Sequence, residues 1–400
     1  MLKNLLNCII KLLKCMKMFK KILGIITSAF VGIVFVFSGF VKAVDPLGST
    51  YKFIDYFEAF NLPSLDVTAF PLSIILSGLE FTIGLCLLIF IQRKWALWGA
   101  LLFMIFFTPL TLWLALTDPV SDCGCFGDAW ILTNWETFYK NLIILSAVII
   151  AFVLKKNIPV WLSVRKEWIF TGGIAFLITL FSWYNYQHLP VIDFRPYKVG
   201  NYLPEKMVIP DDAPRDIYET FLTIRDTVSG KEIKIEMAQY SDDSTYWCEG
   251  SRWKYISSST PKLIKKGYQA PIHDFNIVAE NGDEITKEVL ADSVYYFLLV
   301  AYDLKKSDTD RMADINKLYK QALAEGNKFI SLTAVSNDVI EEFKKKNNPA
   351  YDFYITDGIT LKTVVRSNPG LVLLKKGTVL AKWHNNDIPD YESIKKQYFK

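Results

Sequence analysis

The chain has 400 residues, is 51% hydrophobic and 15% aromatic, and carries a formal net charge of +4, a balance too apolar for an ordinary soluble enzyme. The apolar excess sits in the first half, which reads as a membrane domain with the lipid bilayer as its partner. The second half is rich in Lys, Asp and Glu and reads as a soluble region of roughly 200 residues, long enough to bury its own core. Basic residues cluster beside the apolar runs, so they act as topology signals and imply no nucleic-acid partner.

A basic N-terminal segment, residues 1–21, carries Lys11, Lys14, Lys17, Lys20 and Lys21 and precedes the first apolar run, about Ile22 to Val41. That run exceeds the usual length of a signal-peptide core, so it is read as a retained span. Further runs cover about Phe70 to Ile91, Trp95 to Thr117, Leu142 to Leu154 and Trp168 to Tyr184. Lys and Arg fall at the N-terminus, at Arg93-Lys94, and at Lys155-Lys156 with Arg165-Lys166, whereas the loops around 44–69 and 118–138 carry few. This alternation predicts a cytoplasmic N-terminus and five spans, and it puts the C-terminal region on the same outer side as the 118–138 loop. In a Gram-negative cell that protein sits in the inner membrane and that side is the periplasm, where disulfides persist.

Six cysteines in a chain this long make no disulfide scaffold. Cys8 and Cys15 lie in the basic segment and Cys86 inside an apolar run, where packing is the default role. Cys123, Cys125 and Cys248 fall in polar surroundings. The stretch Asp122-Cys123-Gly124-Cys125-Phe126-Gly127-Asp128 therefore carries the candidate redox pair, Cys123 and Cys125. A disulfide between them closes a very small ring, which strains the bond and makes it oxidising, and Gly124 opens backbone angles that a side chain forbids. The same pair can instead staple the loop, or contribute two of the four ligands that a closed zinc site needs. No metal site is assigned. Two more polar residues lie at membrane depth. Glu80 falls in mid-span, where a carboxyl marks either a functional site or helix–helix packing beside Gly78 and Gly84. Lys42 ends the first span and reads as a snorkelling anchor, with pairing to Glu80 or Asp45 as the alternative.

The order Ser38-Gly39-Phe40-Val41-Lys42-Ala43-Val44-Asp45-Pro46, then Leu79-Glu80 with Gly84, then the Cys123-Gly124-Cys125 loop followed by Trp135 and Asn141, resembles the DoxX/MauE superfamily over roughly residues 20–155. The resemblance implies a four-helix membrane bundle, here with a fifth span added, and an outward redox-capable loop. The MauE branch is associated with methylamine utilisation and with disulfide formation in a periplasmic dehydrogenase subunit, and DoxX relatives include a subunit of a thiosulfate:quinone oxidoreductase. The partners it implies are thus an envelope client protein or an oxidoreductase subunit. No cofactor is evident in the residues, and a quinone is the candidate acceptor.

Beyond the fifth span, residues 187–266 read as a β-rich arm. Tyr218 to Ile224 and Glu232 to Glu236 alternate around a Val228-Ser229-Gly230-Lys231 turn, and Trp247 to Ile256 forms a further strand containing Cys248. From 267 onward the order is β-α-β-α-β-β-α. Strands run over Tyr295–Tyr302, Phe329–Ala334, Gly370–Leu374 and Val379–Trp383, with helices over Arg311–Ala324, Asn337–Lys345 (capped by Ser336) and from Tyr391. This order, with Ala270-Pro271-x-x-x-Phe275 before it, resembles the thioredoxin fold, so the fold class is a transmembrane helical bundle followed by a soluble α/β thioredoxin-like domain with a small β-rich arm. That family keeps its Cys-x-x-Cys where this chain has Tyr302-Asp303-Leu304-Lys305-Lys306-Ser307, so no thioredoxin-type nucleophile is present. Asn368-Pro369 stands at the family's cis-proline position and is expected to be cis. His273 and His384 read as surface histidines. The function expected is thiol–disulfide or quinone-linked redox processing of envelope proteins through the outward loop; the alternative is a non-enzymatic membrane assembly or scaffold protein whose α/β domain binds a partner.

Overall fold

A computed structural model describes residues 2–265 and 267–399 of the chain. The side chain of Cys8 and the arm's expected last residue, Lys266, lie outside the described residues. Among those described, five helices are long and apolar enough to cross a membrane. They are α1 (Leu2–Val44), α3 (Asp66–Leu88), α4 (Arg93–Thr117), α5 (Asn134–Val153) and α6 (Val164–Gln187). Each begins before the apolar run that announced it, because polar first turns extend the helices beyond their greasy centres. The helix α5 starts eight residues before Leu142, at a capping box in which Thr133 and Glu136 satisfy each other's backbone N–H groups.

The helices α1 and α3 pack backbone to backbone because glycines remove the side chains between them. A Cβ on Gly32 would stand 2.8 Å from the Leu88 nitrogen, and one on Gly84 2.5 Å from the Val36 nitrogen. Gly78 plays no such part, since its nearest neighbour would be the Thr179 hydroxyl at 3.5 Å. Between α1 and α3 the expected loop contains an additional helix, α2 (Pro46–Ala59), started by Pro46 and capped by Asp45, which accepts the Gly48 N–H at 2.9 Å.

Residues Tyr202–Phe275 form a compact unit by themselves. It holds two short helices, α7 (Leu203–Met207) and α8 (Met237–Asp242), and five strands: β1 (Ile217–Glu219), β2 (Phe221–Asp226), β3 (Glu232–Glu236), β4 (Trp253–Ser258) and β5 (Lys262–Lys265). The β2–β3 hairpin turns where expected, at Gly230 with φ +71°, and buries Leu222, Ile224 and Ile235. The expected strand from Trp247 begins only at Trp253, because Asp243 and the Ser244–Tyr246 turn hold the chain in a 3₁₀ coil; Cys248 is exposed there and outside any strand.

The other unit joins Met1–Asn201 to Asn276–Lys400, so the bundle and the C-terminal α/β region belong together. The α/β region runs α9 (Thr286–Ala291), β6 (Tyr296–Val300), α10 (Met312–Ala324), β7 (Lys328–Thr333), α11 (Asn337–Asn347), β8 (Phe353–Ile355), α12 (Gly358–Val364), β9 (Gly370–Lys375), β10 (Thr378–His384) and α13 (Tyr391–Tyr398). The strands and helices listed from the sequence are present, and α9, β8 and α12 are additional. The sheet order is β10-β9-β6-β7-β8, with β6, β7 and β8 parallel and β9 and β10 antiparallel. The strand β6 is buried on both faces, as an uninterrupted apolar strand at a sheet centre must be. Phe297, Leu373, Tyr391 and Ile394 anchor the core. Ser336 stands at the start of α11, but its side chain makes no capping bond. The Asn368–Pro369 bond is cis.

Candidate functional site

The loop between α4 and α5 is held from both sides. Asp122 turns back to accept the Gly124 N–H at 2.8 Å, and its other oxygen takes Lys52 Nζ at 2.8 Å. Gly124 sits at φ +67° and Gly127 at φ +50°, conformations that suit glycine. The sulfurs of Cys123 and Cys125 lie together in a disulfide arrangement, with their Cα atoms 5.4 Å apart. Tyr56 of α2 donates to the Cys123 carbonyl at 3.0 Å, and Ser38 of α1 contacts the Cys125 carbonyl at 2.6 Å. Asn134 at the head of α5 donates to Asp118 and to the Val120 carbonyl at 2.8 and 2.9 Å. Helices α1, α2 and α5 thus each fix one part of the loop.

Ser38 ties the loop to the intramembrane charges. Its Oγ lies 2.8 Å from Glu80 Oε1 and accepts from Lys42 Nζ at 2.8 Å. Lys42 in turn donates to Glu80 Oε2 at 2.6 Å. Lys42 and Glu80 are only 9% and 5% exposed, so Lys42 does not snorkel. It turns inward because the carboxylate offers a partner where the bilayer offers none. Ser38 has one hydroxyl hydrogen for two acceptors, Glu80 and the Cys125 carbonyl. Loop and ion pair therefore compete for the same proton.

Among the described residues, two sizeable cavities meet the loop, besides a pocket of about 10 Å³ between the cysteines and Trp130. The inner one, about 510 Å³, lies among α1–α5. Its walls are mainly aromatic, with Phe57 and Phe107 among them, and its polar corner gathers Lys42, Glu80 and Lys140. Both Cys123 and Cys125 line it. The Lys140 ammonium stands 4.2 Å from the Phe126 ring centre, and Asn141 donates to Thr111 at 3.1 Å on the same wall. The outer cavity, about 290 Å³, is bounded by the loop, α2, the chain after α6, and α12. Asp122, Gly124, Gly127 and Asp128 are its loop residues, and the two cysteines do not line it. Gly124, Lys42, Ser49 and Lys52 border both cavities.

The α/β region grips this loop through Arg366, 6% exposed just past α12. Its guanidinium pairs with Asp45 at 2.9 Å and Asp128 at 3.2 Å, and lies over the Tyr51 ring at 5.4 Å. Tyr51 shares a 3.1 Å hydrogen bond with Tyr302. Burial pushes the Asp45 carboxyl up, but Arg366 and then Arg195 outweigh it and hold the group below its ordinary range. For Asp128 burial wins over Arg366, and the carboxyl is raised. Burial disfavours the charged guanidinium, yet Asp45 and Asp128 together raise Arg366 above its usual value.

Of the residues singled out in the sequence, Cys123, Cys125, Glu80 and Lys42 gather within one network, while Cys86 is buried elsewhere, 3.5 Å from the Thr171 hydroxyl. Lys52, Tyr56, Lys140 and Arg366 escaped that reading. Lys52 and Tyr56 sit on a helix hidden in an apparent loop, and Arg366 follows the unanticipated α12. No curated protein matches the chain. Residues 20–154, which contain the loop, the ion pair and the inner cavity, match the family described as methylamine utilisation protein MauE, so this segment, with four of the five candidate spans, is MauE-like.

Proposed function

We propose that this protein carries out thiol–disulfide exchange that serves the cell envelope, with Cys123 and Cys125 as the redox pair and a quinone as the electron acceptor. The observation that carries this reading is that both cysteines line the inner cavity together with the charged side chains of Lys42, Glu80 and Lys140. A quinone bound there supplies a two-electron, two-proton acceptor. The aromatic walls suit a flat ring with an apolar tail, and Lys42, Glu80 and Lys140 form the end that would face its oxygens. Ser38 and Tyr56 contact the two cysteine carbonyls and so position the backbone on either side of Gly124.

The α/β region resembles thioredoxin in strand order but lacks its thiols. Its Tyr302, at the position where that family begins its cysteine motif, contacts Tyr51, and Arg366, just before the cis Asn368–Pro369 bond, holds Asp128. We therefore read it as a redox-inactive module docked by its former active-site end. A second reading, a scaffold in which the disulfide only staples the loop, is favoured by the burial of Cys123, which is 8% exposed. Replacement of both Cys123 and Cys125 by Ser separates the two. Exchange chemistry predicts a phenotype equal to deletion and an adduct trapped on Cys123 in the Cys125→Ser single variant; wild-type behaviour of the double variant assigns the scaffold role.

A further inference from the structure

We infer that the thiol which reduces the Cys123–Cys125 pair reaches it through the outer cavity, and that it is a low-molecular-weight thiol rather than a cysteine on the surface of a folded protein. The inference rests on the exchange reading above and names the substrate class of that same site. Three observations lead to it.

First, the loop is roofed on the side where Arg366 and α12 meet it, while Trp130 and Ile131 stay exposed at its far end. Arg366 clamps Asp128 on the loop and Asp45 at the head of α2. Tyr302 holds Tyr51, so α12 and its neighbours roof the segment. A folded client that presses its surface on this side of the loop would have to displace the buried Arg366 and the part-buried tyrosine pair first. Second, the roof leaves a space of about 290 Å³, which accommodates a free thiol of amino-acid size and excludes a protein surface. That space is edged by charged groups, among them Lys362, Asp55 and Asp122, so it is wet and suited to a polar solute. Third, only a thin partition separates it from the sulfurs. Gly124 and Lys52 border both cavities, and the Lys52 side chain lies directly against Gly124, where an added Cβ would meet its Cγ at 2.9 Å. Lys52 is tethered there by Asp122 at 2.8 Å and more loosely by Asp55 at 3.7 Å. A flexible side chain held at its tip by an ion pair whose partners are 29% and 21% exposed stays within reach of water and can be displaced at modest cost, and its displacement opens the outer cavity onto the disulfide.

The chemistry balances as two successive displacements. A thiolate, its proton released to water in the outer cavity, attacks one sulfur of the pair; the intramolecular S–S bond breaks, a mixed disulfide forms, and the other cysteine leaves as a thiolate and takes up a proton. A second thiolate attacks the mixed disulfide, releasing the external disulfide and leaving both cysteines as thiols. The protein has gained two electrons and two protons, the quantity that a quinone in the inner cavity removes.

The test uses the full chain in lipid nanodiscs, oxidised, with reduction followed by thiol alkylation of Cys123 and Cys125 in a background in which the other cysteines are replaced by Ser. Free cysteine should reduce the pair at least tenfold faster than an equal concentration of reduced thioredoxin, a folded dithiol protein. Lys52→Ala should accelerate the reaction with cysteine severalfold. Ile359→Trp, at an exposed position on the cavity rim, should slow it about tenfold, and Thr363→Trp, deeper on the same wall, should slow it further. Because Ile359 is 76% exposed, its variant is expected to fold even where Thr363→Trp does not. Reduction by thioredoxin as fast as by cysteine, or rates unchanged in Ile359→Trp and Lys52→Ala, overturns the outer-cavity route while leaving the exchange reading in place. Failure of every thiol to reduce the pair in every variant overturns the exchange reading itself, and the route with it.

Discussion

Lys42 and Glu80 carry opposite charges within 2.6 Å of each other at sites that are almost completely buried. Removing one partner leaves a charge with neither water nor counter-ion, so Lys42→Met or Glu80→Gln alone should cost roughly 3–5 kcal/mol of stability. Replacing both by apolar residues of similar size should recover most of that loss. The double variant then separates packing from function. If Lys42→Met/Glu80→Leu restores the melting temperature but not the exchange rate, the pair serves the loop; recovery of both assigns it to helix packing. Ser38→Ala belongs to the same experiment. It removes the hydroxyl shared by Glu80 and the Cys125 carbonyl, a loss of about 1 kcal/mol, and its effect on exchange should exceed its effect on stability. Both charged residues were legible in the sequence because an ionisable group in an apolar run stands out. Their pairing was legible only as an alternative to snorkelling, since Lys42 ends its run and the choice depends on how closely α1 approaches α3. That approach is decided by Gly84, which the sequence already marks as a packing position, and by Gly32, whose role shows only once the helices are together.

At the scale of elements, the buried charge contact between the α/β region and the bundle is made by Arg366, from the segment that follows α12, beside the Tyr51–Tyr302 and His188–Asp387 contacts. Asp45 and Asp128 differ in what they contribute to it. Asp45 has a lowered pKa in the folded protein, so its contribution is fully present above the ordinary aspartate value of about 3.9 and is lost as pH falls through the lowered folded value. Asp128 has a raised pKa, so its ionisation works against the folded state as pH rises. Asp45→Asn should therefore lower the melting temperature at pH 7 by about 5–10 °C, the shift that roughly 2–3 kcal/mol produces in a region of this size. It should also flatten the acid limb of the stability profile. Asp128→Asn should leave the melting temperature unchanged or slightly higher. Melts of the two variants between pH 3 and 8 (about the range that spans these groups) check both signs, and equal losses in both would contradict the assignment. None of this was readable from the chain, because Arg366 lies 321 residues from Asp45 and 238 from Asp128, and neither helix that presents the contact was expected. The helix α2 has its apolar residues interleaved with Lys52, Asp55 and Glu58, so it reads as a polar loop, and α12 is only 7 residues long. The long spans and the central strands β6 and β9 were readable for the opposite reason: an uninterrupted apolar run has few places to go but a bilayer or a sheet centre.

For the molecule as a whole, everything rests on which side of the membrane the loop faces. The Arg366–Asp128 contact places the α4–α5 loop beside the C-terminal α/β region, and with five candidate spans both lie across the bilayer from the segment that precedes the first. The excess of Lys at that segment and at the α3–α4 and α5–α6 links argues for a cytoplasmic N-terminus. Two exposed cysteines report the outcome directly. Cys15 lies in the basic part of α1, ahead of the uncharged run from Ile22, and Cys248 lies in the small β unit after the last candidate span. In single-cysteine variants, an impermeant maleimide should label Cys248 in intact spheroplasts and Cys15 only after permeabilisation. The reverse pattern would put Cys123 and Cys125 in a compartment that keeps thiols reduced. The pair would then face a reductant pool with no need of a dedicated donor, and neither the quinone-linked reading nor a thiol route through the outer cavity would survive.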